Sequence, residues 1–457
     1  MRVLLISTYE LGRQPFGLAS PAAWLREAGH QVTQLDLARQ KLDEGAVRAA
    51  ELACFYLPMH TATRLALPVI ARVRELNPRA RLCAYGLYAP LNAERLRAAG
   101  VTAIVGGEFE GELLRLANGA DETPAPLPAG HERSADGFVS LARLSFRVPD
   151  RAGLPPLGEY AQLRMTDGTL RTVGYTEASR GCKHLCRHCP VVNVYQGAFR
   201  VVQREVVLED VRRQVAAGAG HITFGDPDFF NGPAHAMEIV RALHREFPQV
   251  TYDATIKVEH LLQHAELLPE LKASGCAFVT SAVESLDDAV LARLEKGHTR
   301  ADFLRAVELM RAAELPLSPT FIPFTPWTTL AVYSDLLKTL AELELVEHVA
   351  PVQLAIRLLI PAGSRLLELE EVRGWVGEFD REKLAYPWRH PDAGVDELQR
   401  QVEGVVALIG KHDTPRAEVF GAVCALVRDL STEIPAWTPP PLAARATIPY
   451  LTEPWYC

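Results

Sequence analysis

The chain has 457 residues, 48% of them hydrophobic, 23% charged and 7% aromatic, with a net charge of −8. That is the make-up of a soluble globular protein of two or three domains, without the basic stripe that duplex nucleic acid needs or the ~20-residue apolar run of a membrane span. Eight cysteines in a chain of this length make no disulfide framework, so a reducing, cytoplasmic setting is expected.

The opening Met1–Ser7 is too short an apolar run for a signal peptide and reads as a first strand. Residues 1–122 then alternate short apolar strands with amphipathic helices. Strands are expected at Val3–Ser7, Gln31–Leu37, Leu52–Leu57, Arg81–Tyr85 and Ala103–Val105, and helices at Pro21–Ala28, Ala66–Leu76 and Leu91–Ala99. This switching of period predicts an α/β, doubly wound, Rossmann-like parallel sheet. Ligands of such sheets bind at the carboxyl ends of the strands, here Tyr9–Gly12, Pro58–Thr63, Gly86–Ala89 and Gly106–Glu110. No G-x-G-x-x-G follows the first strand, which argues against NAD or FAD. Residues 123–164 are rich in proline (Pro124, Pro126, Pro128, Pro149, Pro155, Pro156) and read as a surface linker.

A second βα series fills residues 165–365. Strands are expected at Thr172–Ala178, His221–Phe224, Thr251–Ile256, Ala277–Val283, Leu317–Ile322 and Gln353–Leu359, separated by helical patterns. Six units predict a partial (β/α)6 barrel with its functional residues just after the strands. Residues 366–457 form a mostly helical extension (Glu368–Val376, Glu397–Leu408, Ala417–Leu430), proline-rich around Pro435–Pro441 and ending at Cys457.

Directly after the first barrel strand stands Ser179-Arg180-Gly181-Cys182-Lys183-His184-Leu185-Cys186-Arg187-His188-Cys189-Pro190, a C-x3-C-x2-C spacing. Three soft thiolates within eight residues suit three corners of an iron–sulfur cube, leaving one iron open for a substrate or cosubstrate. A zinc site would want a second cysteine pair; His184 and His188 are the other nitrogen donors, but both sit inside the same tight loop. Cys54, Cys83, Cys276 and Cys424 lie in apolar stretches and read as small core residues.

With these motifs in this order the chain resembles the radical SAM superfamily, over most of its length. The likeness rests on the cysteine loop, Phe224-Gly225-Asp226-Pro227-Asp228-Phe229 after the second barrel strand, Ser281-Ala282-Val283-Glu284-Ser285 ending the fourth, Leu294–Thr299, and Gln353–Ser364 in the sixth-strand region. It implies a [4Fe-4S] cluster on Cys182, Cys186 and Cys189, and S-adenosylmethionine (SAM) held near Asp226, Asp228, Glu284, Ser285 and Arg357. Asp226, Asp228 and Glu284 equally suit capping or loop hydrogen bonding. Two positions depart from the family's pattern: His188 stands where an aromatic residue is common, and Gly225-Asp226-Pro227 replaces Gly-Gly-Glu.

The amino-terminal sheet resembles the cobalamin-binding domain of the B12-type group, through Phe55–Thr61 and Val105–Glu110. This implies cobalamin contacts from Tyr9, His60, Gly86, Gly106 and Glu108; without a D-x-H-x-x-G motif, no histidine is expected to ligate cobalt from below. The ending Glu453-Pro454-Trp455-Tyr456-Cys457 is similar to a subgroup finishing Cys-Cys-Ala-Glu-Pro or Cys-selenocysteine-Ala-Glu-Pro. That likeness implies a native chain continuing past Cys457 and a catalytic use of the Cys457 thiol; the plainer reading is a disordered terminus.

The leading expectation is cobalamin-dependent methyl transfer to an unactivated small-molecule or peptide substrate, with electrons from a flavodoxin or ferredoxin. An alternative is cobalamin-independent transfer of the 3-amino-3-carboxypropyl group of SAM to a soft acceptor such as As(III), presented by the tail. A non-catalytic cofactor carrier or redox sensor would leave the barrel motifs idle.

Overall fold

The computed structural model describes residues 1–120, 131–133, 138–409, 414–430 and 450–451. The first sheet contains β1 (Arg2–Ser7), β2 (Gln31–Asp36), β3 (Leu52–Tyr56), β4 (Arg81–Tyr85), β5 (Ala103–Gly107), β6 (His131–Arg133) and β7 (Phe138–Ser140), in the order β2-β1-β3-β4-β5-β7-β6. Every residue of β3 is buried, as a central parallel strand covered on both faces must be. Alternate residues serve opposite layers. Val3, Leu5 and Cys54 pack with Leu18 and Leu25 of helix Phe16–Glu27 and with Leu113 of helix Glu110–Ala117. Leu4, Ile6, Ala53 and Phe55 pack with Ile70 and Val73 of helix His60–Leu76 on the other side.

The second sheet contains β8 (Gln162–Arg164), β9 (Leu170–Thr176), β12 (His221–Phe224), β13 (Thr251–Thr255), β14 (Cys276–Glu284), β15 (Leu317–Phe321) and β16 (Tyr450–Leu451). Its order is β15-β14-β13-β12-β9-β8-β16. Strands β9 and β12 to β15 are parallel, whereas β8 is antiparallel to both its neighbours. A separate hairpin of β10 (Ser179–Gly181) and β11 (Phe199–Val201) brackets the cysteine loop. Barrel helices and the carboxyl-terminal helices Ala393–Ile409 and Arg416–Leu430 share one core that includes Ile222, Tyr252, Phe303, Leu398 and Phe420.

Several elements differ from expectation. The sixth barrel strand is reduced to a bridge between Phe324 and Arg357, because Pro351–Leu354 turns as a 3-10 helix. There the side chain of Gln353 does the strand's work, its Oε1 accepting from Phe321 N at 2.8 Å. Part of the segment read as linker is strand: β7 adds to the first sheet beside β5, and β8 to the second beside β9. Cys457 lies outside the described residues, among which no helix is long and apolar enough to cross a membrane.

Candidate cluster and cofactor site

The cysteine loop leaves the carboxyl end of the barrel through a strained turn. Gly181 has φ +76°, and a Cβ there would strike the carbonyl of Ala198 and the ring of Tyr195, so only glycine closes the hairpin without moving backbone. Backbone contacts hold the loop from several sides: Lys183 N donates to Asn231 Oδ1 (3.1 Å), Arg187 N to Leu294 O (2.9 Å), and Arg365 to Leu185 O (2.6 Å). Cys186 is buried, with Cys182 and Cys189 partly so; all three are free. Burial pushes the Cys189 thiol up to about 12, with Cys186 and Cys182 adding to the rise. Without a metal this thiol stays protonated; bound iron deprotonates such a ligand.

Beside the loop, β14 ends at Glu284, whose φ of +68° is costly for a non-glycine residue. The bend brings its carboxylate to His188 Nε2 (3.1 Å) and Lys296 Nζ (3.3 Å). Burial alone would raise this carboxyl, but Lys296 and His188 outweigh it and hold it at about 2. Lys296 also faces Cys186 and Cys189. His298 lies between Lys296, Lys257 and Glu284, and burial first, then the two lysines, lower it to about 4. His298 meets the backbone of Val283, and among the described residues Ser281 Oγ is buried without a hydrogen-bond partner. An unanswered polar atom at the carboxyl end of a barrel fits a polar ligand such as SAM.

The sequence-predicted residues fall in different settings. Asp226 accepts from Ala178 N (2.9 Å) and Ser179 Oγ (2.6 Å), tying β12 to the start of the cysteine hairpin. Ser285 Oγ accepts from Asp287 N (3.1 Å). Arg357 pairs with Asp396 (2.7 Å) and stacks on Trp388. His60 Nε2 meets Lys383 O at 2.6 Å. Gly86 and Gly106 admit protein atoms: an added Cβ would meet Leu57 O and the Pro90 ring, respectively. Tyr9 is half-buried after β1.

Glu108 belongs to a group that residue-by-residue reading missed. Arg180 donates to Glu108 (3.1 Å), Glu110 (3.0 and 2.7 Å) and Glu177 (2.7 Å), while Tyr195 OH donates to Glu108 at 3.2 Å. Phe16, Phe109 and Phe146 lie around the guanidinium. The clasp joins the carboxyl edge of the first sheet to the hairpin carrying the cysteines. Burial raises Glu108 from the ordinary 4.5 to about 7 in spite of Arg180. The folded chain therefore holds this proton more tightly than the unfolded one, and the stability linked to it is lost as pH rises from about 4.5 through 7. The urea midpoint is expected to be lower at pH 8 than at pH 6, with the difference shrinking in Glu108→Gln. An unchanged difference in that variant would assign the effect to other groups, such as Asp226, which burial also raises to about 7.

Residues 176–334 match the radical SAM superfamily. The likeness to that superfamily is carried by this segment. The cysteine loop, the β14 terminus and Lys296 all lie within it. Over 337 residues the chain is 25% identical to the hopanoid C-3 methylase of Methylococcus capsulatus, covering 71% of this chain and 64% of that one. It is 27% identical over 160 residues to the tRNA-2-methylthio-N(6)-dimethylallyladenosine synthase of Geobacter sulfurreducens, 32% of this chain and 34% of that one. The chain thus spans less than two thirds of these relatives. Among solved structures, the cobalamin-dependent SAM radical enzyme OxsB with aqua-cobalamin bound aligns with a TM-score of 0.70 at 14% identity, over 95% of this chain and 74% of that one. The radical SAM methyltransferase TsrM of Kitasatospora setae, with cobalamin and a [4Fe-4S] cluster, gives 0.58 at 17% identity, over 75% and 73%. The two-sheet architecture ahead of a helical carboxyl-terminal part is the fold these chains share.

Proposed function

We propose that this protein is a radical SAM enzyme that transfers a methyl group, by way of cobalamin on its amino-terminal sheet, to an unactivated small-molecule or peptide substrate. The observation that carries the reading is the meeting of the two sheets. Helix Pro190–Tyr195, which begins directly after Cys189, packs its Val194 and Tyr195 on Val139 of β7 and Leu87 beyond β4. The carboxyl edge of the first sheet therefore faces the cluster loop. Among the described residues, Ser7 Oγ at the end of β1, Asn92 Oδ1 beyond β4 and Asn193 Nδ2 in that helix are buried without hydrogen-bond partners, as groups awaiting a polar cofactor would be. His60 is engaged by Lys383 O, so it offers cobalt no ready ligand, in keeping with the missing D-x-H-x-x-G.

Bound here, the reduced cluster and SAM supply a carbon-centred radical and cobalamin a transferable methyl group. The chain's own part is to hold the cysteine loop, keep Glu284 ionised against Lys296 and His188, and exclude water behind the clasp. Hopanoid C-3 methylase and TsrM are methyl-transferring by name, which favours methyl as the group moved.

One observation favours a second reading. β16 is antiparallel to β8, which is antiparallel to β9, so β16 itself runs in the direction of β9, the strand that leads to the cysteine loop. In this reading the Cys457 thiol presents a soft acceptor such as As(III) for carboxypropyl transfer, on the tail's likeness to the selenocysteine-containing subgroup. Anaerobic enzyme reduced with dithionite and supplied with cobalamin separates the two. 5′-Deoxyadenosine together with S-adenosylhomocysteine is expected for methyl transfer, and methylthioadenosine for carboxypropyl transfer. SAM left intact beside a complete cluster would sink both.

A further inference from the structure

The hairpin of residues 376–388 has no part in the chemistry above. Its base belongs to the barrel: Val376, Tyr386 and Trp388 pack with Leu358, Ile360 and Leu366, and Trp388 Nε1 donates to Leu358 O (2.8 Å). Its two sides pair through Val376 with Trp388 and Asp380 with Ala385. Asp380 Oδ1 closes the tip by accepting from Glu382 N and Lys383 N, both at 2.9 Å. That tip leaves the barrel and reaches the first sheet, where His60 Nε2 donates to Lys383 O at 2.6 Å.

The place it reaches is where a ligand of that sheet belongs. The order β2-β1-β3-β4-β5 reverses between β1 and β3, which opens a crevice at their carboxyl ends. His60 starts the helix after β3, and Thr8 Oγ1, in the loop after β1, donates to Ala62 O beside it (2.8 Å). The His60 ring stands edge-on to Tyr88. Asn92, 5% exposed, donates through Nδ2 to Tyr88 O (2.9 Å), and its Oδ1 has no donor among the described residues. Leu384 in the tip is 1% exposed with φ +53°, a left-handed backbone that is costly for a branched side chain. Among the described residues it joins none of the apolar clusters of either sheet. The ion pair of Arg381 with Glu94 also ties the tip to the first sheet, but its side chains are 70% and 77% exposed, so it is worth little.

We propose that the hairpin 376–388 is a strap whose tip plugs the cofactor crevice of the first sheet, and that a cofactor seated there displaces the tip, breaking the His60–Lys383 bond and freeing Leu384. The inference rests on the cobalamin reading above. A strained leucine, buried outside any core and beside an acceptor that lacks a donor, occupies the place as a stand-in for a ligand. Burial of Leu384 and the His60 bond favour the closed form, while the left-handed backbone works against it, as in other segments held at the low-stability end of a fold. A cofactor that binds only the open form has its apparent affinity reduced by the fraction open. Loosening the tip therefore tightens binding, the opposite of what removing a cofactor contact does.

Equilibrium dialysis with aquacobalamin, on the full cluster-loaded chain under anaerobic conditions, tests this without reference to turnover. Asp380→Ala loosens the tip from its own side, and Leu384→Ala shrinks the plug. Each variant, checked for unchanged circular dichroism, should bind aquacobalamin about 2–10-fold more tightly than wild type. Hydrogen exchange gives a second readout: the amides of residues 380–386 should exchange faster in loaded wild type than in the empty protein. Where a variant fails to fold, the exchange of wild type decides alone. Weaker or unchanged binding in either folded variant overturns the plug, as does a tip that exchanges no faster once wild type is loaded. Aquacobalamin bound by neither wild type nor the variants would instead remove the cobalamin reading, and the strap with it.

Discussion

Replacing Cys186 with alanine is expected to give a folded, colourless chain that no longer cleaves SAM. Removing one thiolate of three leaves two corners, so iron should fall from about four per chain to well under one after reconstitution, and SAM cleavage should drop below detection. The fold should survive. Cys186 is buried in a short loop held by backbone contacts from Leu294 and Arg365 to its neighbours Arg187 and Leu185, and the main barrel core lies elsewhere. A side chain as small as cysteine costs little on truncation, ~1 kcal/mol for the atoms removed. Cys276→Ala supplies the control: Cys276 is equally free and buried, but its Sγ faces Phe278 O within β14, so iron content and turnover should hold. Equal iron in Cys186→Ala and wild type would mean that the loop is no cluster cradle, and the reading of the whole barrel would fail with it.

How far the sequence carried the argument depended on whether each feature was local. Strands β1, β3 and β4 came within a residue of their observed bounds, because continuous apolar runs between polar breaks admit few other readings. The cysteine loop was equally local. The helix expected to open at Pro21 begins five residues earlier, at Phe16. Two distant contacts reverse that reading. Pro21 has no N–H for the carbonyl of Gly17 one turn earlier, and Tyr85 OH donates to that carbonyl instead, at 2.8 Å. Gly17 is small because the Tyr56 ring lies where its Cβ would be. At the site, Glu108 stood out as a strand-end residue, but its partner Arg180 comes from another sheet 72 residues later. Asp228, His184 and His260, with the two rings 3.6 and 2.7 Å from the Asp228 carboxylate, likewise come from three separate segments. Only folding brings them together, and no periodicity or spacing marks them.

That clasp gives the largest stability effect expected from a single surface-distant substitution. Arg180→Ala should destabilise the fold by about 3–5 kcal/mol, the usual cost of stripping the partner from a buried ion pair. The side chain of Arg180 is 7% exposed, and those of Glu108 and Glu110 are fully buried, so water cannot take over the guanidinium's role. An exposed pair such as Arg305 with Glu308, 61% and 66% exposed, should lose under ~1 kcal/mol on the same truncation. Arg180 stands two residues before Cys182, so the variant should also reconstitute with less iron. Charge and packing are separated, below pH 7, by the triple variant Arg180→Met, Glu110→Gln, Glu177→Gln, in which Glu108, raised to about 7 by burial, carries its own proton. Replacing a buried charge cluster by neutral groups of similar volume is often close to neutral, and this variant should recover most of the lost stability and iron. Two outcomes in urea titrations would refute the clasp as an electrostatic element: Arg180→Ala within 1 kcal/mol of wild type, or a triple variant no more stable than the single one. In the first case the three glutamates would be carrying protons and need no cation; in the second, the aromatic rings around Arg180 would be holding the hairpin by shape.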